Sequence, residues 1–127
     1  MYQTKREPIS RPQRRQSRDQ AAPPAAIRVA DVSLDRTSRL VVVADRRIHL
    51  TPSEFDLLAT LMEAPGRAFT RGELVAQLRG EAYDGDERTI DVHVRNLRAK
   101  IEANSRNPRY VETVYGIGYR FAPPQYL

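Results

Sequence analysis

A chain of 127 residues has room for one domain of ordinary size with a modest core. It contains no cysteine, which excludes disulfides and thiolate metal sites and predicts a reducing compartment, the cytoplasm. No apolar run approaches the ~20 residues that a membrane span needs, and the first residues lack the apolar stretch of a secretory signal, so we expect neither insertion nor export.

The net charge of +5 is concentrated at the start of the chain. Residues 1–26 carry six basic and two acidic side chains and are rich in Arg, Gln, Ser and Pro. Such a composition cannot bury enough apolar surface to offset chain entropy. We therefore predict a disordered basic linker or arm over 1–26, a folded domain over 27–121 and a tail over 122–127. From charge alone, a polyanion partner and a merely soluble arm are equally good interpretations.

The folded part begins with the pattern of short β-strands. Apolar runs alternate with turn-prone segments at 35–38 and 44–47, which favours a small antiparallel sheet made of hairpins. The predicted strands are Ile27–Ala30, Val32–Leu34, Leu40–Val43 and Ile48–Leu50.

Three helices are predicted next. Residues 51–54 (Thr-Pro-Ser-Glu) offer an N-cap hydroxyl, a proline at the first helical position and a glutamate that can accept the N-cap backbone N–H. Residues 70–73 again place a threonine three positions before a glutamate, which predicts a second capping box. The first helix should end at Pro65-Gly66 and the second at Gly80. After an acidic loop, Asp86 or a near neighbour caps a third helix from Glu87 to about Ala103.

A β-hairpin is predicted last, because β-formers over 110–115 and 119–121 flank Gly116-Ile117-Gly118. The order sheet, three helices, hairpin defines an α+β fold.

The third helix has two distinct faces. At 100° per residue its large apolar side chains fall on one side and must face the core; they are Ile90, Val94, Leu97 and Ile101. The opposite side holds Arg88, Thr89, Val92, Arg95, Asn96 and Ala99. On the flank we expect ion pairs at i,i+4 spacing between Asp91 and Arg95 and between Arg98 and Glu102.

The outer face suits a DNA groove. Arginine can bind phosphate or guanine, Asn can pair with adenine, and small apolar groups allow close approach and contact with thymine methyls. From the helix alone, an ordinary polar surface that happens to contain Val92 explains this face as well as DNA binding does. The predicted hairpin favours DNA binding. The hairpin adds a second contact surface, on which four side chains can donate to phosphates: Thr113, Tyr115, Tyr119 and Arg120.

Four segments, 50–58, 65–74, 88–100 and 113–121, closely resemble the effector domain of OmpR/PhoB-type response regulators. The resemblance implies a winged helix-turn-helix with an N-terminal antiparallel sheet, a three-helix core and a C-terminal hairpin wing. It further implies that the third helix enters the major groove of double-stranded DNA, that the wing enters the adjacent minor groove, and that head-to-tail dimers occupy tandem direct repeats. The loop over 79–86 would contact RNA polymerase.

The resemblance also assigns roles to residues. Phosphate contacts would fall on Arg88, His93, Arg95, Arg98 and Tyr119. Base contacts would fall on Thr89, Val92 and Asn96, and wing contacts on Thr113, Tyr115 and Tyr119. The polymerase-contact loop would use Arg79, Glu81, Tyr83 and Asp84. Three positions depart from many relatives, which have arginine at Asn96, a basic residue at Tyr115 and tryptophan at Arg79.

The family's receiver domain does not fit into 26 residues. The chain is expected to be an excised effector fragment, or else a regulator that works without a receiver, and we favour the fragment. A receiver domain and a histidine kinase would then be partners in the full-length protein.

Catalysis and protein interaction are the rival functions. Catalysis is disfavoured because no nucleophile has a partnered base, and His49 and His93 lack metal-ligand spacing, so we expect no cofactor and no metal. The remaining alternative is a winged-helix protein-interaction module with incidental DNA affinity, against which the arginine-bearing outer face argues.

Overall fold

The computed structural model describes residues 25–79 and 85–127, except for the side chain of Arg79. Four strands come first: β1 (Ala26–Val29), β2 (Val32–Asp35), β3 (Leu40–Val43) and β4 (Arg46–Ile48). The remaining elements are α1 (Pro52–Glu63), β5 (Phe69–Thr70), α2 (Arg71–Arg79), α3 (Glu87–Ile101), β6 (Val111–Val114), β7 (Gly118–Phe121) and a 3-10 helix (Pro124–Tyr126). The predicted order of sheet, three helices and hairpin is confirmed, and with it the winged helix-turn-helix.

The N-terminal sheet is an antiparallel meander in the order β1-β2-β3-β4. Its inward residues alternate along the strands and pack on the helices; in β2, for example, Val32 and Leu34 are buried, whereas Ser33 and Asp35 are half-buried. The fourth strand is displaced from the prediction of Ile48–Leu50. A two-residue turn at Ala44-Asp45, with φ of 49° and 67°, pairs Val43 with Arg46 and so starts the strand two residues earlier.

The three helices surround one core that also takes in the sheet and the hairpin. α1 supplies its centre, because Leu57, Leu58 and Leu61 are fully buried. The first cap is confirmed: Glu54 N–H donates to the Thr51 hydroxyl at 3.2 Å, and the Glu54 carboxylate accepts the Thr51 N–H at 3.0 Å. In the part of the chain described, no helix has the length and apolar character to cross a membrane.

The second cap is confirmed in the same way. Glu73 accepts the Thr70 N–H at 2.8 Å, and the Thr70 hydroxyl accepts the Glu73 N–H at 3.0 Å. The two residues that lead into this cap form an extra strand, β5, which the sequence did not predict.

β5 joins the hairpin in a second sheet, with the order β5-β7-β6. Phe69 pairs with Tyr119, and Thr70 pairs with Gly118. A Cβ on Gly118 would lie 2.0 Å from the Phe69 carbonyl oxygen, so only glycine permits this approach. β5 therefore anchors the base of the hairpin next to the start of α2.

Candidate nucleic-acid interface

The start of α3 is fixed by a capping box. The Asp86 carboxylate accepts the Thr89 N–H at 3.2 Å, and the Thr89 hydroxyl accepts the Asp86 N–H at 3.3 Å. The backbone hydrogen bond from Thr89 is the main cause that holds the pKa of Asp86 below its ordinary value. The predicted cap at Asp86 is confirmed. Thr89, predicted to read bases, is half-buried and uses its hydroxyl in this cap.

The predicted inner face of α3 is confirmed, since Ile90, Val94, Leu97 and Ile101 are each at most 1% exposed. The opposite face lies in solvent. Its exposed residues are Arg88, Val92, Arg95, Asn96 and Ala99. Val92 adds an apolar side chain to this face, with 40% exposure. His93 is half-buried on the flank between the two faces.

Arg95 and Asn96 lie side by side on the exposed face. Among the residues that the structure describes, neither side chain makes a hydrogen bond or an ion pair with another. The face therefore presents a guanidinium and an amide with their donors and acceptor open to solvent, next to the apolar patch of Val92.

The ion pair predicted between Asp91 and Arg95 is wrong. Asp91 instead accepts the Arg71 Nε–H at 2.6 Å and the Tyr119 hydroxyl at 2.6 Å, both on Oδ1. Burial raises the pKa of Asp91, but the hydrogen bonds from Tyr119 and Arg71 outweigh it and leave the pKa below its ordinary value. Asp91 therefore bonds to two residues that the fold brings near it rather than to its neighbour one turn along the helix. Arg95 has no ion-pair partner among the described residues.

The ion pair predicted between Arg98 and Glu102 is also wrong. Arg98 donates from Nε to the Val111 carbonyl at 3.0 Å and from Nη2 to the Thr113 hydroxyl at 2.9 Å. Glu102 is buried and accepts three backbone N–H groups, those of Arg109, Tyr110 and Val111. These bonds tie the end of α3 to the first strand of the hairpin, so helix and hairpin are held as one surface.

The hairpin tip projects from the domain. Tyr115 is 90% exposed and Ile117 is 48% exposed. The Ile117 N–H donates to the Val114 carbonyl at 2.9 Å across a turn in which Gly116 has φ of +83°, a conformation that favours glycine. Sequence reasoning singled out Tyr115 but not Ile117. The signal available was that both flank Gly116 at the tip of a predicted hairpin, where an apolar side chain has no core to enter.

Tyr119 differs from the other predicted wing residues because it is buried, with 6% exposure. Its hydroxyl donates to Asp91, and the guanidinium carbons of Arg71 and Arg98 lie 5.5 and 5.6 Å from its ring centroid. A phosphate contact from this hydroxyl would require it to change partner. The predicted contact of Tyr119 therefore stays a prediction.

The predicted polymerase-contact loop lies mainly outside the described residues, which exclude Glu81, Tyr83 and Asp84. Arg79 is described only in its backbone, as the last residue of α2. Within 25–79 and 85–127, no three His, Cys, Asp or Glu side chains come together in the way that metal ligands do.

Comparison with known proteins shows to which family the chain belongs. Residues 45–121 match the family described as "Transcriptional regulatory protein, C terminal". The chain belongs to this family. It has the fold and sequence of an OmpR/PhoB-type response-regulator effector domain, and its relatives include both full-length regulators and isolated domains.

The DNA-binding response regulator MtrA of Mycolicibacterium smegmatis is 39% identical over 119 residues, which are 94% of this chain and 52% of MtrA. The chain thus spans about half the length of this relative. The response regulator DrrB of Thermotoga maritima, an OmpR/PhoB homologue, superposes with a TM-score of 0.66 at 32% identity over 77% of this chain and 44% of DrrB.

The DNA-binding domain of RstA from Klebsiella pneumoniae, solved in complex with the RstA box, has a TM-score of 0.68 at 34% identity. The alignment covers 77% of this chain and 97% of that domain. This relative is therefore a domain of matching extent.

Proposed function

We propose that this OmpR/PhoB-type domain binds double-stranded DNA sequence-specifically and so regulates transcription as the effector part of a two-component response regulator. The observation that carries the proposal is the outer face of α3, where Arg95, Asn96 and Val92 are exposed and the two polar side chains have no hydrogen-bond or ion-pair partner within 25–79 and 85–127. A solvated helix normally covers such a face with paired mixed charges. A major groove supplies what these groups lack: phosphate oxygens, base edges and thymine methyls.

Contacts divide by chemistry. We assign backbone phosphates to the nitrogen donors along the helix, namely Arg88, His93, Arg95 and Arg98. Base contacts go to Val92 and Asn96, and to Thr89 through its methyl group, since its hydroxyl is engaged in the cap. In the wing, Tyr115 and Thr113 would contact the adjacent minor groove and its phosphates, with Tyr119 as a further phosphate contact if its hydroxyl leaves Asp91.

Further partners follow from family membership and are part of the proposal. Head-to-tail copies would occupy tandem direct repeats, and the loop that follows α2 would contact RNA polymerase through Arg79, Glu81, Tyr83 and Asp84. Because the chain spans about half of MtrA, a receiver domain phosphorylated by a histidine kinase would belong to the same regulator. The residues that precede β1 would be the linker to it, since Ala26 already pairs with Asp35 in the sheet. Binding to the chromosome would place the regulator in the cytoplasm.

The alternative of a protein-interaction module is not favoured, because RstA, a relative of the same extent, is solved on its DNA site. We also propose that the domain is not an enzyme. A DNA-binding role needs no reacting group, and every residue assigned above acts by contact alone.

The test is selection of bound duplexes from a random library, followed by fluorescence anisotropy with the selected duplex at two salt concentrations. We expect an enriched sequence and a steep loss of affinity with salt, since each phosphate contact contributes a slope of roughly −0.9 in log K against log salt. Arg95→Gln should make the fall of affinity with salt less steep, whereas Arg28→Gln, on an exposed position of β1, should leave it unchanged. Failure to enrich any sequence, together with a flat salt dependence, would overturn the proposal.

A further inference from the structure

A polar cleft of about 510 Å³ lies between the C-terminal part of α3, the loop that follows it and the hairpin. Its lining includes Arg98, Ser105, Arg106, Asn107, Thr113 and Arg120. Of these, Arg98, Thr113 and Arg120 were predicted from the sequence as DNA contacts, whereas Ser105, Arg106 and Asn107 were not. Residues 105–107 lie in the loop that connects α3 to β6.

The cleft is cationic and rich in hydrogen-bond donors. Three arginines face one carboxylate, that of Glu112, which accepts the Arg120 Nε–H at 2.7 Å. Arg98 has its guanidinium plane fixed by two hydrogen bonds, which use two of its five N–H donors. The hydroxyl of Ser105 and the amide of Asn107 add neutral donors. An anion with several acceptor oxygens is the ligand that this set recognises.

The loop is held in shape from both ends. Asn104 accepts the Arg106 N–H on its side-chain oxygen at 3.0 Å and the Asn107 N–H on its carbonyl at 3.0 Å. Beyond the loop, buried Glu102 fixes the backbone from Arg109 to Val111. The cleft wall is therefore ordered before a ligand arrives, which lowers the entropy cost of binding.

The position of the cleft identifies the anion, given the function proposed above, on which this inference rests. If α3 lies in a major groove and the wing in the adjacent minor groove, the single phosphodiester strand that separates the two grooves must pass between helix and wing. The cleft occupies that position. We propose that it binds the DNA backbone strand, with Arg106 of the loop joining Arg98 and Arg120 as a phosphate contact and with Ser105 and Asn107 as neutral donors.

Glu112 moderates this contact. Its carboxylate neutralises part of the Arg120 charge and repels a phosphate that enters the cleft. The pair thus keeps the cleft from binding every polyanion strongly, at the expense of affinity for the backbone strand.

The experiment measures affinity against salt for Arg106→Gln and Glu112→Gln, on both the selected duplex and a random one. Arg106→Gln should weaken binding about five- to tenfold at 0.1 M salt, equally on both duplexes, and reduce the salt slope by about 0.9. Glu112→Gln should strengthen binding on both. Arg28→Gln removes the same charge outside the cleft and should change neither affinity nor slope. Thermal melting of each variant confirms that the fold is retained.

The outcomes separate this inference from the proposed function. If Arg95→Gln lowers the salt slope while Arg106→Gln and Glu112→Gln leave affinity unchanged, the DNA-binding function stands and the cleft proposal is overturned. If the unaltered chain binds no duplex, both fail. An NMR titration distinguishes the source of the phosphate: amide shifts at 105–107 with inorganic phosphate but not with duplex would indicate a site for the free anion, and would also overturn the proposal.

Discussion

The Tyr119 hydroxyl donates to Oδ1 of Asp91 at 2.6 Å, and the Nε–H of Arg71 reaches the same oxygen at the same distance. One carboxylate of α3 thus holds both the start of α2 and the second strand of the hairpin. The groove-facing helix and the wing are separate in sequence, yet they share this hydrogen-bonded centre. Their relative position is set by these contacts as well as by the core.

Removing the hydroxyl with Tyr119→Phe should loosen this centre while keeping the ring in place. Burial first, and then the hydrogen bond to Asp91, raise the pKa of Tyr119, while the same bond lowers that of Asp91. We expect a loss of about 1 kcal/mol in the free energy of unfolding, measured in urea, and a rise in the pKa of Asp91, measured by NMR. Tyr115→Phe is the control, because that phenol is 90% exposed. Equal losses of unfolding free energy for the two variants would show that the hydrogen bond from Tyr119 to Asp91 does not stabilise the fold.

Glu54 gives a prediction about pH. It is 2% exposed, and its carboxylate accepts hydrogen bonds from the Lys100 ammonium at 2.6 Å and from the Thr51 N–H at 3.0 Å. Burial raises its pKa, but the bonds from Lys100 and Thr51 outweigh this and leave the pKa below 4.5. A depressed folded-state pKa means that the carboxylate stabilises the fold above the unfolded-state value and that this contribution is lost as the pH falls through the folded value.

Glu54→Gln should therefore lower the free energy of unfolding by about 1 to 3 kcal/mol at pH 7, and the gap to the unaltered chain should narrow as the pH falls below about 4.5. Urea midpoints over this range measure it. Glu73→Gln is the matched control, since Glu73 fills the same place in the capping box of α2 but is exposed, and its gap should be smaller. A gap that widens on acidification would show that the charge of Glu54 does not stabilise the fold.

Glu102→Gln tests the link between α3 and the hairpin. The carboxylate is buried and accepts three backbone N–H groups, whereas a glutamine would turn an NH2 group toward one or two of them. We expect the free energy of unfolding to fall by about 2 to 3 kcal/mol, because buried N–H donors would lack an acceptor. Glu63→Gln, at an exposed position at the end of α1, should cost less than about 1 kcal/mol, since its ion pair with Arg36 lies at the surface. Comparable losses by urea unfolding would refute the role of Glu102.

Ala44 offers a stabilising change. It adopts φ of 49° in the turn between β3 and β4, a left-handed conformation that costs a residue with a Cβ roughly 1 kcal/mol. Ala44→Gly should therefore raise the melting temperature by a few degrees. Ala76→Gly, on an exposed helical position of α2, should lower it by a similar amount. A fall in melting temperature for Ala44→Gly would mean that chain entropy outweighs the relief of strain.

What could be predicted from the sequence was what short-range physics decides. The caps at Thr51, Thr70 and Asp86 need only residues three apart, and the inner face of α3 follows from helical periodicity. All of these are confirmed, and the face opposite the core follows from them.

What escaped prediction depends on distant residues. β5 has two residues, too few for any periodic signal, and exists because Phe69 and Thr70 meet Tyr119 and Gly118. The partners of Asp91 and Glu102 were mispredicted because i,i+4 spacing was the only information available along the helix. The polar cleft that we propose as a phosphate site is formed by the loop at 105–107 and the hairpin, which are close together only in the folded chain.

The division of labour on α3 gives the last prediction. Arg95 is placed to contact backbone phosphates, which every duplex offers, whereas Asn96 is placed to pair with a base edge, which only the preferred site offers. Arg95→Ala should weaken binding to selected and random duplexes alike. Asn96→Ala should cost about 1 to 3 kcal/mol on the selected duplex and almost nothing on the random one. Gln77→Ala, an exposed amide on α2, controls for loss of an amide elsewhere. Anisotropy titrations that gave Arg95→Ala and Asn96→Ala the same loss on both duplexes would rule out separate roles, because a single shared contact, or a general disturbance of the helix, would then account for both.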